Sequence, residues 1–251
     1  MNIDVLPTAQ SATTYDFSGK VSVIIDVLRA TSVITSALNS GATAVYPVST
    51  IDEALQLKKT LSSPSLLCGE RNADRIEGFD LGNSPQHFTP SAVCGKNIIL
   101  TTTNGTLAFS NSLASQNIIA ASLLNYVAVA EQLLCLSSDI CLVCAGNNGT
   151  VSFEDSACAS LILNHIVSRY PRVRVLSDFA HTIVPLATLP DLPTRLRQGQ
   201  HCQKLVAKGY SHDVEFCLSS ASQTSVIPTL CYVSSKPALT IVQSDSNIYS
   251  A

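Results

Sequence analysis

Four short stretches of this 251-residue chain carry most of the side chains able to do chemistry on an anion. The first is Asp26-Val27-Leu28-Arg29-Ala30-Thr31-Ser32, an acid and an arginine followed by two hydroxyls. A carboxylate such as Asp26 can hold a hard cation, and a guanidinium such as Arg29 can grip a phosphate or carboxylate as a fork. The same stretch reads equally well as a helix capped by Asp26, with Arg29 at the surface. The second runs from Gly69 to Pro85 and gathers Glu70, Arg71, Asp74, Arg75, Glu77, Asp80 and Asn83. Charged residues make up only 13% of the chain, so this is a concentration of them. A long loop in a compact domain tends to be functional. The third is Thr101-Thr102-Thr103-Asn104-Gly105-Thr106, able to offer hydroxyls and backbone N–H groups to one anion, or simply to cap a helix. The fourth is Gly146-Asn147-Asn148-Gly149, followed by Glu154 and Asp155. Those two acids suit a helix start, and they are also a second source of metal carboxylates.

Three of these stretches sit where a strand feeds a helix. Val21–Ile25 is a β-branched run, and a helix follows from Val33. Asn97–Thr101 leads to a helix from Leu107, and Asp139–Ala145 to a helix over Ala157–Val167. In a mainly parallel sheet such tips point the same way and converge on one anion-binding cleft. Further strands are expected at Ala44–Val48, Leu66–Cys68, Asn117–Ala121, Leu230–Val233 and Ala238–Val242, with Val173–Asp178 a weaker one. Helices are expected from the capping box Thr50–Glu53 to Lys59, over Leu123–Leu136, from Gly199, and from Ser211 as N-cap. Residues 1–19 read as a short edge strand and a loop. The fold class is α/β. Residues 1–251 read as one domain, with a weak division into lobes of about 1–125 and 126–251.

Apolar residues are 46% of the chain and net charge is −3, so the core is large and no cationic face for nucleic acid exists. The apolar stretches are too short and interrupted to span a membrane. Met1-Asn2-Ile3-Asp4-Val5 has no leader-like character, and the expected location is the cytoplasm. Nine scattered cysteines read as small core residues. Cys141 and Cys144 lie three apart on a strand, hence on opposite faces, and should share neither a metal nor a disulfide. The polar surface allows a homodimer.

The first three stretches, in this order, resemble the 2-phosphosulfolactate phosphatase (ComB) family. The most specific part is Gly69-Glu70-Arg71 with Gly78-Phe79-Asp80-Leu81-Gly82-Asn83-Ser84-Pro85. Cys144-Ala145-Gly146, Phe153-Glu154-Asp155 and Asp213-Val214-Glu215-Phe216-Cys217 are similar to that family as well. The resemblance covers roughly residues 18 to 242 and weakens after Val167. Gly199-Gln200-His201 matches only loosely, so His201 receives no role. The resemblance implies a three-layer α/β/α fold and a Mg2+-dependent phosphatase. Such an enzyme releases phosphate from 2-phosphosulfolactate, giving sulfolactate in the route toward coenzyme M.

A substrate with phosphate, sulfonate and carboxylate on three carbons needs several donors close together. Arg29, Arg71 and Arg75 can supply guanidinium forks. Thr31, Asn83, Thr102, Thr103, Asn104, Gly105, Thr106, Gly146 and Asn147 are the remaining substrate-binding candidates. Asp26, Glu70, Arg71 and Glu154 are the catalytic candidates. Mg2+ would be held by Asp26 with Glu70 or Glu154, with Asp155 in reserve. Attack by water assisted by a carboxylate is preferred over an aspartyl-phosphate on Asp26. The haloacid-dehalogenase pattern requires a second acid two residues on, where this chain has Leu28. Two alternatives stand: a phosphatase for another small phosphorylated hydroxy acid, and a non-catalytic anion-binding protein.

Overall fold

The structure is a computed structural model describing residues 1–136, 138–219, 223–233 and 235–241. Its strands are β1 (Asn2–Leu6), β2 (Lys20–Ile25), β3 (Ala44–Pro47), β4 (Ser65–Arg71), β5 (Asp74–Arg75), β6 (Asn97–Thr101), β7 (Asn117–Ala121), β8 (Asp139–Cys144), β9 (Arg174–Val175), β10 (Pro228–Val233) and β11 (Lys236–Ile241). The helices are α1 (Ala30–Asn39), α2 (Ile51–Thr60), α3 (Pro90–Val93), α4 (Gly105–Asn111), α5 (Tyr126–Leu136), α6 (Phe153–Arg169), α7 (Asp178–Ile183), α8 (Leu192–Arg197), α9 (Gln200–Ala207) and α10 (Ser211–Leu218).

All eleven strands form one mixed sheet in the order β5-β4-β6-β3-β11-β10-β7-β2-β8-β1-β9. Strands β4, β6 and β3 are parallel to one another. So are β7, β2, β8, β1 and β9. The β10–β11 hairpin joins the two runs, antiparallel to its neighbours on both sides. Three reversals in succession make the runs opposite in direction. In a flat sheet the end of β4 would lie far from the end of β2. Six strand steps separate them, and twist of roughly 20–25° per step carries the sheet most of the way through a half-turn. The turn after β6 reaches the turn after β2, where a Cβ on Gly105 would stand 2.6 Å from Asp26 Oδ2. The sequence suggested convergence through one shared strand direction, and the inserted hairpin reverses that direction between the runs.

Helices cover both faces, giving three layers. Val21, Val23 and Ile25 of β2 pack on Ile162, Leu163 and Ile166 of α6 and Leu133 of α5. Ile24 points the other way, onto Val33, Ile34 and Leu38 of α1 and Phe109 of α4. This is the alternation that a strand buried on both faces requires. Helix α2 starts at the expected capping box, with Thr50 Oγ1 accepting from the Glu53 N–H at 3.1 Å. Cys141 and Cys144 do fall in separate cores on opposite faces of β8, and all nine cysteines are free thiols.

Several boundaries differ from expectation. Strand β4 continues to Arg71, and Asn72 and Ala73, both at positive φ, turn the chain back into β5. Gly69 allows β4 to run close beside β6: a Cβ there would lie 2.0 Å from the Thr101 carbonyl oxygen. Strand β9 has only two residues, and Ser177 instead caps α7. Strand β1 is interior, between β8 and β9. Ser211 is the first residue of α10, whose N-cap position is Tyr210. Val242, expected in the last strand, lies outside the described residues. No described helix is long and apolar enough to cross a membrane.

Candidate active site

A cleft open to solvent lies where the turns after the two runs come together. It is lined by Asp26 and Arg29 after β2, Glu70, Asn72 and Ala73 at the β4–β5 turn, and Asn83. Thr102, Thr103 and Asn104 after β6, Asn147 and Asn148 after β8, and His201 and Lys204 on α9 complete the polar lining.

Each wall is built by its own local bonds. Thr31 closes the turn after β2: its Oγ1 donates to the Asp26 carbonyl at 2.8 Å, and the Asp26 N–H donates to Oγ1 at 3.0 Å. The Asp26 carboxylate then accepts from the Ala30 N–H at 3.3 Å, at the start of α1. Thr102 and Thr106 lock the turn after β6 in the same way, Thr106 Oγ1 donating to the Thr102 carbonyl at 2.8 Å. Gly105 lets that turn approach β2, since a Cβ would stand 2.6 Å from both Asp26 Oδ2 and Ala30 Cβ. The Asn148 N–H donates to Asn104 Oδ1 at 3.1 Å, joining the third turn to the second.

Two buried acids hold turns together. Glu70 accepts from the Thr103 N–H and the Ala73 N–H, both at 2.7 Å. Asp155 accepts from the Val27 N–H at 2.9 Å and the Gly146 N–H at 3.0 Å. Burial lifts Asp155 well above the usual carboxylate range, with Asp26 and Glu154 adding to the push, while its two N–H donors pull it down. Burial also lifts Asp26, to about 6; Glu70 and Glu154 add to this, and His201 and the Ala30 N–H oppose it. Arg29 is buried, paired with Asp213 at 2.6 Å, and its Nη2 donates to the Ala73 carbonyl at 2.7 Å. Its guanidinium lies 4.2 Å from the centre of the Tyr210 ring.

The structure thus brings Asp26, Arg29, Glu70, Asn83, Thr102, Thr103, Asn104 and Asn147 to the cleft lining, while Thr31, Gly105, Thr106 and Gly146 shape its walls. Arg71 does not line it: the side chain donates to the Glu70 carbonyl at 2.7 Å and to Thr101 Oγ1 at 2.9 Å. Arg75 lines a neighbouring cavity with His87 and Tyr210. Glu154 stands behind His201, its Oε1 2.7 Å from Nδ1. His201, Lys204 and Leu205 all line the cleft; from sequence alone His201 has no role and Lys204 and Leu205 are missed, although spacing of three and four residues marks one helix face.

Among the described residues no group of three or more His, Cys, Asp or Glu is arranged to hold a metal. Of the four proposed ligands, Glu154 and Asp155 are absent from the cleft lining, Glu154 standing behind His201 and Asp155 holding the Val27 and Gly146 N–H groups. Asp26 and Glu70 line the cleft together. Asn83 adds a third hard oxygen to the lining residues: its Oδ1 is buried and without a hydrogen-bond partner among the described residues. Mg2+ needs only one or two carboxylates besides water and phosphate oxygens, so this donor set suits it.

An α/β sheet whose turns gather polar amides, cations and carboxylates at strand ends has the chemistry suited to a small anion. Comparison narrows the class. Residues 6–232 match the family model described as 2-phosphosulpholactate phosphatase. A protein of Clostridium acetobutylicum named a probable 2-phosphosulfolactate phosphatase is 38% identical over 218 residues, covering 86% of this chain and 92% of that one. One of the same name from Thermotoga maritima is 44% identical over 200 residues, covering 79% and 84%. The chain belongs to the 2-phosphosulfolactate phosphatase family.

Proposed function

We propose that this chain is a Mg2+-dependent phosphatase that hydrolyses 2-phosphosulfolactate to sulfolactate and phosphate, in the route toward coenzyme M and in the cytoplasm. The observation carrying this reading is the pair Asp26 and Glu70 in one cleft with Arg29. A protein that only captured anions would gain nothing from carboxylates there. Asp26, Glu70 and Asn83 Oδ1 would hold the Mg2+, which when bound offsets phosphate charge and lowers the pKa of a bound water. Arg29 and Lys204 supply positive charge, and Thr102, Thr103, Asn104, Asn147 and Asn148 supply polar groups for the phosphate, sulfonate and carboxylate. Arg29 is held rigid by Asp213 and Ala73, so its orientation costs no ordering on binding.

The attacking group is water. Asp26 lies against the Ala30 N–H at 3.3 Å and has no acid two residues on, which argues against an aspartyl-phosphate. Among the described residues no cysteine lines the cleft. Phosphate release from a panel of phosphorylated hydroxy acids, with and without Mg2+, tests the reading. We expect 2-phosphosulfolactate to be preferred and turnover to require Mg2+. Tight sulfonate or phosphate binding with no turnover of any ester would replace it with the anion-binding alternative. A hydroxylamine-labile phosphoenzyme on Asp26 would overturn attack by water.

A further inference from the structure

Among the cleft-lining residues His201 is the one imidazole, and it is anchored from behind. It lies in the first turn of α9, and its Nδ1 is 2.7 Å from Glu154 Oε1. Glu154 is 1% exposed, so the ring is a principal partner of that carboxylate. The ring itself is 16% exposed, on the cleft side. Its other nitrogen, Nε2, has no hydrogen-bond partner among the described residues. A carboxylate on one ring nitrogen fixes the tautomer and orientation of the ring. Of the other cleft groups able to carry a proton, Asp26 is assigned to the Mg2+. Lys204 is exposed on a long flexible stem, and both oxygens of Glu70 already accept backbone N–H bonds.

Resting on the phosphatase reading above, we propose that His201 is the general acid that protonates the leaving oxygen of the ester, with Glu154 as its positioning residue. A water oxygen bonds to phosphorus, and the P–O ester bond breaks with its electron pair going to the substrate oxygen. That oxygen takes the proton from His201 Nε2 and leaves as the alcohol. Both water protons remain on the released dihydrogenphosphate, which returns one to the imidazole and departs as hydrogenphosphate. The alcohol of a hydroxy acid is a poor leaving group, so it needs this proton. The phenolate of 4-nitrophenyl phosphate leaves without one.

The test is the dependence of turnover on the leaving group. His201→Gln and, as a second variant, His201→Asn are compared with the parent on 2-phosphosulfolactate and on 4-nitrophenyl phosphate. Each variant is qualified by a thermal transition close to the parent's. General-acid catalysis is worth roughly 10²–10⁴-fold. The expected loss in kcat is of that order on the alkyl ester and under about ten-fold on the aryl ester. Glu154→Gln should show the same selective loss, to a smaller degree. Equal losses on both esters, or no loss on the alkyl ester, overturn the proposal while leaving the phosphatase reading intact. Failure of the parent to release phosphate from either ester overturns both.

Discussion

Arg29 Nη1 stands 2.6 Å from Asp213 Oδ2 in the interior, an ion pair between side chains only 2% and 6% exposed. It ties the turn after β2 to helix α10, and through the Ala73 carbonyl to the β4–β5 turn. Removing one partner of a buried pair leaves the other charge uncompensated, at a cost of about 3–5 kcal/mol. Asp213→Asn should lower unfolding free energy by that order in urea titration. Replacing both, as Arg29→Met with Asp213→Leu, should recover much of the stability and none of the activity. A single variant as stable as the parent would mean the pair is not buried as described.

Asp26 gives a pH prediction with a definite sign. Burial lifts its folded-state value to about 6 from an ordinary 3.8. The folded protein therefore binds that proton more tightly than the unfolded chain. Ionised Asp26 costs stability above about pH 6, a cost that shrinks as pH falls and is gone below the unfolded value. Asp26→Asn removes it. In chelator at pH 7.5 the variant should be more stable by roughly 2–3 kcal/mol, with the gain vanishing toward pH 4, and it should be inactive. Calorimetric unfolding across that range checks this.

Glu70 joins the β4–β5 turn to the turn after β6 through two backbone N–H bonds. In Glu70→Gln the carboxamide NH2 must face one of those donors. We expect a loss of about 1–3 kcal/mol and, because a cation ligand is weakened, a Mg2+ half-saturation raised at least ten-fold. Titrating activity with Mg2+ measures the second effect, and an unchanged half-saturation would remove Glu70 from the metal site.

Arg71 separates position in sequence from position in the cleft. Its guanidinium is spent on Glu70 and Thr101, so Arg71→Ala should keep kcat within about ten-fold while losing about 1–2 kcal/mol of stability. Arg29→Ala should instead abolish turnover. Equal kinetic losses would return Arg71 to the catalytic set.

The local units were legible because their causes are local. The Thr50–Glu53 box, the β-branched run of β2 and the hydroxyl-rich turns after β2 and β6 follow from propensity and capping. The antiparallel hairpin β10–β11, inserted between β3 and β7, was not legible as to place, since pairing partners depend on the whole sheet. Glu154 and Asp155 illustrate a second limit. Neighbours on a helix point about 100° apart, so Asp155 reaches the turns after β2 and β8 while Glu154 reaches His201. Adjacency suggested one metal site, and helix geometry divides the acids between two tasks. Arg71 ends strand β4, where alternation sends Glu70 and Arg71 to opposite faces.

The account turns on Asp26 acting in a cleft that hydrolyses a phosphoester. The most direct measurement is the rate of inorganic phosphate release from 2-phosphosulfolactate with saturating Mg2+, for the parent protein and for Asp26→Asn. The account predicts sustained multiple turnover by the parent and none by the folded variant. A variant that turns over at the parent's rate, or a parent that binds the ester and never releases phosphate, would contradict it.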